Sequence, residues 1–138
     1  MGSGDLQDPG FGAASEPTEA KARAGRLDEA LKIIDALWRG VPVTNQGTYF
    51  QLTELTMNPG PVQRPRIPIW MGGDWSLPRV RRRALWWDGC CVYKGSPEQA
   101  WQDMTTSDAC EIRGAVARKR GEAAVFDICF GGRERQDD

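Results

Sequence analysis

The sequence contains no histidine. That absence removes the commonest general base, the usual partner of a serine nucleophile and the commonest metal ligand together. Zinc hydrolases and Ser-His-Asp chemistry are set aside, and no metal site is expected. Acid–base work falls to carboxylates, Tyr49, Tyr93, lysines or thiols. Long apolar runs are lacking as well: none approaches the ~18 residues of a spanning helix, so no membrane partner is expected. The stretch from Met1 to Asp8 lacks the basic and apolar regions of a secretory signal, and the expected location is the cytoplasm. Neither sign of charge dominates. Eighteen basic against nineteen acidic residues leave a net charge of −1, which offers nothing to nucleic acid or an anionic surface and little protection against association.

Four cysteines are present, Cys90, Cys91, Cys110 and Cys129, with no Cys-x-x-Cys spacing among them. Buried free thiols are the expectation, with Cys90 and Cys91 directed to opposite faces of a strand. At 138 residues the chain can form one hydrophobic core. It falls well short of the ~250 residues of a complete eight-stranded β/α barrel.

Residues 1–16 are rich in Gly, Ser, Ala and Asp and read as a loop, with Asp5, Asp8 and Glu16 solvating it. Leu27, Ala30, Leu31, Ile34, Leu37 and Trp38 recur at spacings of three and four. That spacing predicts a helix over 17–39, with Pro17 in its first turn and Gly40 just past its end. The period then changes: Val41-Pro42-Val43 and Tyr49-Phe50-Gln51-Leu52 flank Thr44-Asn45-Gln46-Gly47, a hairpin pattern. Pro59, Pro61 and Pro65 make a stiff connector.

Three short apolar runs follow, Ile67–Met71, Gly89–Tyr93 and Val125–Phe130, the pattern of strands buried on both faces. The first is expected to end at a Gly72-Gly73 turn and the third at Gly131-Gly132. Between them lie a helix over 77–87, capped by Asp74 or Ser76 with Leu77, Val80 and Ala84 inward, and a second helix. The latter starts at Ser96-Pro97 and closes at Gly121, with a break expected around Thr105–Asp108. Strands alternating with crossover-length helices predict parallel right-handed β/α units. The fold class is α/β: a partial TIM-type (β/α) barrel of about three parallel strands with crossover helices and an inserted β-hairpin. Residues 1–16 form a preceding loop, 17–132 the partial barrel and 133–138 a polar tail.

Four stretches together resemble the luciferase-like monooxygenase family, in particular its deazaflavin-using branch. They are Arg26–Gly40, the hairpin Val41–Leu52, Pro61–Gly73, and Arg82-Arg83-Ala84 followed by Trp87-Asp88-Gly89. The resemblance aligns the chain with the part of the family's barrel from the loop after strand four to strand seven. It implies a flavin- or deazaflavin-dependent oxidoreductase or monooxygenase, with FMN or a deazaflavin coenzyme and an unknown small organic substrate.

The strand end at Gly72, Gly73 and Asp74 lies where barrel enzymes hold phosphates, and in the resembled family it cradles the cofactor; alone, it is an ordinary turn. Lys94, after the next strand, is a second candidate for pairing with a phosphate, set against an ordinary exposed lysine. Trp70 and Met71 are expected in the barrel core, with contact of one of them to the cofactor's isoalloxazine ring as the alternative. The cluster Arg79, Arg81, Arg82 and Arg83 reads as a solvated helix face, with no aromatic platform for nucleic acid. The family's substrate-positioning residues lie largely on earlier strands, so no catalytic residue is transferred. The alternative reading is a catalytically inactive remnant, or an association module acting through open strand edges.

Overall fold

A computed structural model describes residues 1–2, 9–95 and 102–130. The Ser96-Pro97 helix start, the Gly131-Gly132 strand end and the 133–138 tail lie outside the described residues. The chain divides into two compact units, one of residues 2–67 and the other of Met1 with residues 68–138.

The first unit begins with a short helix, α1 (Pro9–Ala13), in a segment whose composition suggested only loop. The long helix α2 runs Ala20–Trp38, with Glu19 at its N-cap. It starts later than Pro17, because Glu19 is extended (φ −71°, ψ 131°) and the helical ladder begins only after it. Its end is as the glycine foretold: Gly40 takes φ 77°, a conformation that costs other residues a steric penalty. Leu31 and Ile33 are buried along with Arg23, whereas Leu27, Ala30, Ile34, Leu37 and Trp38 are half-buried. Of the stripe that spacing selects, Leu31 alone is fully buried; Ile33, outside that stripe, is buried as well.

β1 (Val43–Gln46) and β2 (Gln51–Leu55) pair antiparallel as the expected hairpin, with a register irregularity between Val43 and Asn45. Its tip is held to α2 by one carboxylate: Glu29 accepts from Asn45 Nδ2 (2.8 Å), Phe50 N (2.9 Å) and Tyr49 N (3.1 Å). Farther along, Asp35 of α2 receives the buried Arg66 guanidinium.

In the second unit β3 (Trp70–Asp74), β4 (Gly89–Tyr93) and β5 (Asp127–Cys129) form a parallel sheet in the order β3-β4-β5. The helices between them are α3 (Pro78–Ala84) and α4 (Thr106–Arg120). Parallel neighbours joined by helices are the predicted β/α units. Asp88 binds the strand starts together: its Oδ2 accepts from Ile69 N (2.7 Å), its amide donates to Ile69 O (3.0 Å) and its carbonyl accepts from Asp127 N (3.0 Å).

The strands depart from the expectation of burial on both faces. Met71, Cys90 and Val92 are almost completely buried, while Trp70 and Cys91 are exposed. One face is thus covered and the other is open, and side chains alternate between them. Trp70 accordingly lies on the open face instead of in a core, where its Nε1 donates to Asp127 Oδ2 at 3.1 Å. The expectation of buried cysteines holds for Cys90 alone; Cys91, Cys110 and Cys129 are exposed.

α3 ends at Ala84, short of residue 87, and its cap position is Leu77, with no side chain capping it. Arg79 and Arg82 are exposed as expected, but Arg81 and Arg83 are half-buried, and Arg81 reaches Ser76 O (3.1 Å) and Glu111 Oε1 (3.5 Å). The segment read as a helix break is a helix start. Thr105 and Asp108 form a reciprocal capping box for α4, which satisfies amides that the helix cannot bond itself.

Candidate functional site

The two sequence-marked strand ends lie side by side. β3 and β4 pair in register through Gly72↔Cys91, Gly73↔Val92 and Asp74↔Tyr93. The ladder continues as Trp75 N donates to Tyr93 O at 2.8 Å. Gly72-Gly73 is therefore the last stretch of a strand and not the turn expected of it. Pairing with Cys91–Tyr93 keeps it extended.

The two glycines do different work. Gly73 has φ 143°, and a Cβ there would stand 3.2 Å from both methyl carbons of Val80. Its need is structural: it lets α3 close onto the strand. Gly72 would meet only ordinary contacts, at 3.6 Å from the carbonyls of Cys91 and Met1. The lack of a side chain at Gly72 leaves a bare strip on the open face beside Cys91. Asp74 is committed to the connection into α3, where its Oδ1 accepts from Ser76 N (2.8 Å) and Ser76 Oγ (2.7 Å).

The first turn of α3 has little to offer an anion. Pro78 has no N–H, Val80 and Arg81 donate to Leu77 O, and the Ser76 amide is taken by Asp74. A phosphate at this strand end would look to Lys94 instead. The Lys94 ammonium donates to Asp108, with about a third of the lysine side chain exposed. An ammonium has three N–H donors, so one bond to Asp108 leaves donors for a second oxygen. Sequence reasoning found Lys94 but missed Asp108; the signal was the Thr-x-x-Asp spacing of the capping box.

Asp108 accepts from Lys94, from Thr105 N (2.8 Å) and from Thr105 Oγ1 (2.8 Å). The hydrogen bond from Lys94 first, and then the Thr105 amide, bring its carboxyl down from 3.8 to about 2. A depressed carboxyl stabilises the fold above its unfolded value and loses that contribution as pH falls towards the folded one. Asp108→Ala is expected to cost about 1 kcal/mol near neutral pH, as loss of a helix cap does. The gap between variant and wild type in urea titrations should close as the pH is lowered from about 4 to about 2. A gap that persists unchanged at low pH would refute the assignment.

Among the described residues no group of three or more Cys, Asp or Glu side chains could hold a metal ion, and no helix is long and apolar enough to cross a membrane.

The sequence profile of the luciferase-like monooxygenase family matches residues 1–119. Over 56 residues, 41% of the chain, the sequence is 43% identical to the F420-dependent glucose-6-phosphate dehydrogenase of Microbacterium testaceum (strain StLB037). That match spans 16% of the dehydrogenase's own length. With the profile covering most of its length and its strands joined as parallel β/α units, the chain belongs to the luciferase-like monooxygenase family.

Proposed function

We infer that the chain contributes part of the cofactor site of an oxidoreductase that uses a deazaflavin coenzyme, with FMN as the second choice. The observation that carries this reading is that Gly72 and Lys94 both lie towards the carboxy ends of neighbouring parallel strands, β3 and β4. Sites of barrel enzymes gather at that end of the strands. The preference for a deazaflavin is supported by the cofactor named for the Microbacterium relative.

In this reading the cofactor's ring supplies hydride transfer or oxygen activation. Gly72 lets a flat group approach the backbone without a side chain in the way. Gly73 and Asp74 hold the strand end and its connection to α3 in place. Lys94 shares its ammonium between Asp108 and a phosphate oxygen. The substrate is a small organic molecule, positioned by groups beyond these four.

The test is equilibrium dialysis of the purified chain against the deazaflavin coenzyme and against FMN. Saturable deazaflavin binding is expected, weakened about tenfold by Lys94→Ala, as for loss of one charge-assisted hydrogen bond. Absence of saturable binding of either cofactor would sink the reading. A second reading, a catalytically silent association module, is favoured by the strand order, which leaves β3 and β5 as edge strands. It calls for concentration-dependent self-association in sedimentation without cofactor uptake.

A further inference from the structure

The open face of the β3-β4-β5 sheet carries two sulfurs in one row. Cys91 of β4 and Cys129 of β5 are directly paired in the parallel register, and both are free and exposed. The third member of the row, on the other side of Cys91, is Gly72, which brings no side chain of its own; its amide donates to the Met1 carbonyl, which places the Met1 N-terminus near Cys91. Cys90 is turned to the covered face, fully buried. Burial first, and then the neighbouring thiols, push it up to about 12. The sheet thus separates one inert thiol from two accessible ones.

Strands lie about 4.8 Å apart in a sheet, and directly paired side chains leave them on the same side at about that spacing. A disulfide needs Cβ atoms about 3.8 Å apart, so a direct S–S bond would require the strands to draw together by roughly 1 Å. A centre bound to both sulfurs at about 2.3 Å each, the length of a zinc–thiolate bond, spans a gap of about 4 Å without moving either strand. Cys91 and Cys129 are directly paired across β4 and β5 with side chains on the same face, and burial first, then the Cys129 side chain, raise the Cys91 thiol above its ordinary value. Thiolate pairs select soft acceptors over hard ones.

We propose that Cys91 and Cys129 form a dithiol site for a soft, thiophilic centre, a monovalent d10 metal ion of the copper(I) type. The cation binds two sulfurs and releases two protons, with no change of oxidation state. A trivalent arsenical occupies the same pair in a balanced condensation: an arsenic–oxygen double bond and two S–H bonds give two As–S bonds and one water. The site does not rest on the cofactor reading and uses none of Gly73, Asp74 or Lys94, although it borders the same Gly72 position.

Two probes test it on the full chain under reducing, anaerobic conditions. Phenylarsine oxide reports whether two sulfurs act together: one adduct per chain is expected by intact mass, resistant to excess monothiol and removed by a dithiol. Copper(I), titrated against a chromophoric chelator, is expected to bind about 100-fold more tightly to wild type than to Cys91→Ser or Cys129→Ser, the scale of gain from linking two ligands. Cys110→Ser should behave as wild type in both assays. Both substitutions sit at exposed positions, and circular dichroism confirms that the variants fold. An arsenical adduct that survives in Cys129→Ser, or copper(I) affinity that does not respond to either substitution, overturns the proposal.

Discussion

Gly89→Ala is expected to destabilise the chain by about 3 kcal/mol, at the upper end for overpacking a filled site. A Cβ at Gly89 would stand 2.6 Å from the Asp127 carbonyl oxygen, 2.8 Å from Trp70 Cδ1 and 2.9 Å from Asp127 Cβ. The first of these is backbone, held by the Gly89↔Asp127 pairing of β4 with β5, so it cannot swing away as the tip of a long side chain can. Relief requires a parting of the two strands together with a shift of Trp70, which donates to Asp127 across Gly89. Gly114→Ala in α4 is the control. Its Cβ would meet only the end of the Arg118 side chain, at 3.3 Å. Removing a glycine from a helix interior is then expected to stabilise by roughly 0.5–1 kcal/mol. Urea titration of the two variants should move the midpoint in opposite directions. A Gly89→Ala midpoint equal to that of wild type would show that the strands are not paired as described.

Gly47→Ala is the second large effect, and it is local to the hairpin. A Cβ there would fall 1.8 Å from Glu29 Oε1 and 2.3 Å from its Cδ, inside the carboxylate that fastens the hairpin tip to α2. The methyl group and the carboxylate cannot share the space. Expelling Glu29 releases the Tyr49 and Phe50 amides and Asn45 Nδ2 at once. Amide hydrogen exchange at Tyr49 and Phe50 should accelerate by about tenfold or more, the factor for 1.4 kcal/mol of lost protection, while β3–β5 amides stay unchanged.

The same carboxylate predicts a pH effect. Burial by itself would raise the Glu29 carboxyl, but bonds from the Phe50 amide, the Asn45 side chain and the Tyr49 and Thr48 amides outweigh it and lower the group below 4.5. The stabilisation is therefore present above 4.5 and is lost as pH falls below it. Protection of the Tyr49 and Phe50 amides, the ratio of intrinsic to observed exchange, should fall as the pH drops below 4.5. In Gly47→Ala, where the carboxylate is already displaced, that fall should be absent.

These effects mark where sequence reasoning reached and where it stopped. The Asp88-Gly89 pair was recognisable as part of a family pattern, yet its cause is visible only when β3, β4 and β5 are assembled, because Asp88 bonds to residues 19 and 39 positions away. Gly47 was legible as a hairpin glycine, but not the Glu29 carboxylate that requires it. The weak helix formers Thr105–Asp108 were read as a break; their hydroxyl and carboxylate groups compete with helix bonding mid-helix and complete it at a start. Lys94 was legible as a cation at a strand end, and its bond to Asp108 was not.

The sequence by itself determined the alternation of β3, α3, β4, α4 and β5, their parallel connection, the glycine that ends α2 and the family to which the chain belongs. Those features depend on hydrophobic period, on turn and cap residues, and on motifs a few residues long. Tertiary structure alone decided which sheet face is covered, and so why Cys90 is inert while Cys91 and Cys129 stand exposed together. It also decided that Gly72-Gly73 is strand. A period of two assigns alternate side chains to opposite faces. Which face meets a helix, and which strand lies alongside, are settled by contacts between segments far apart in the chain.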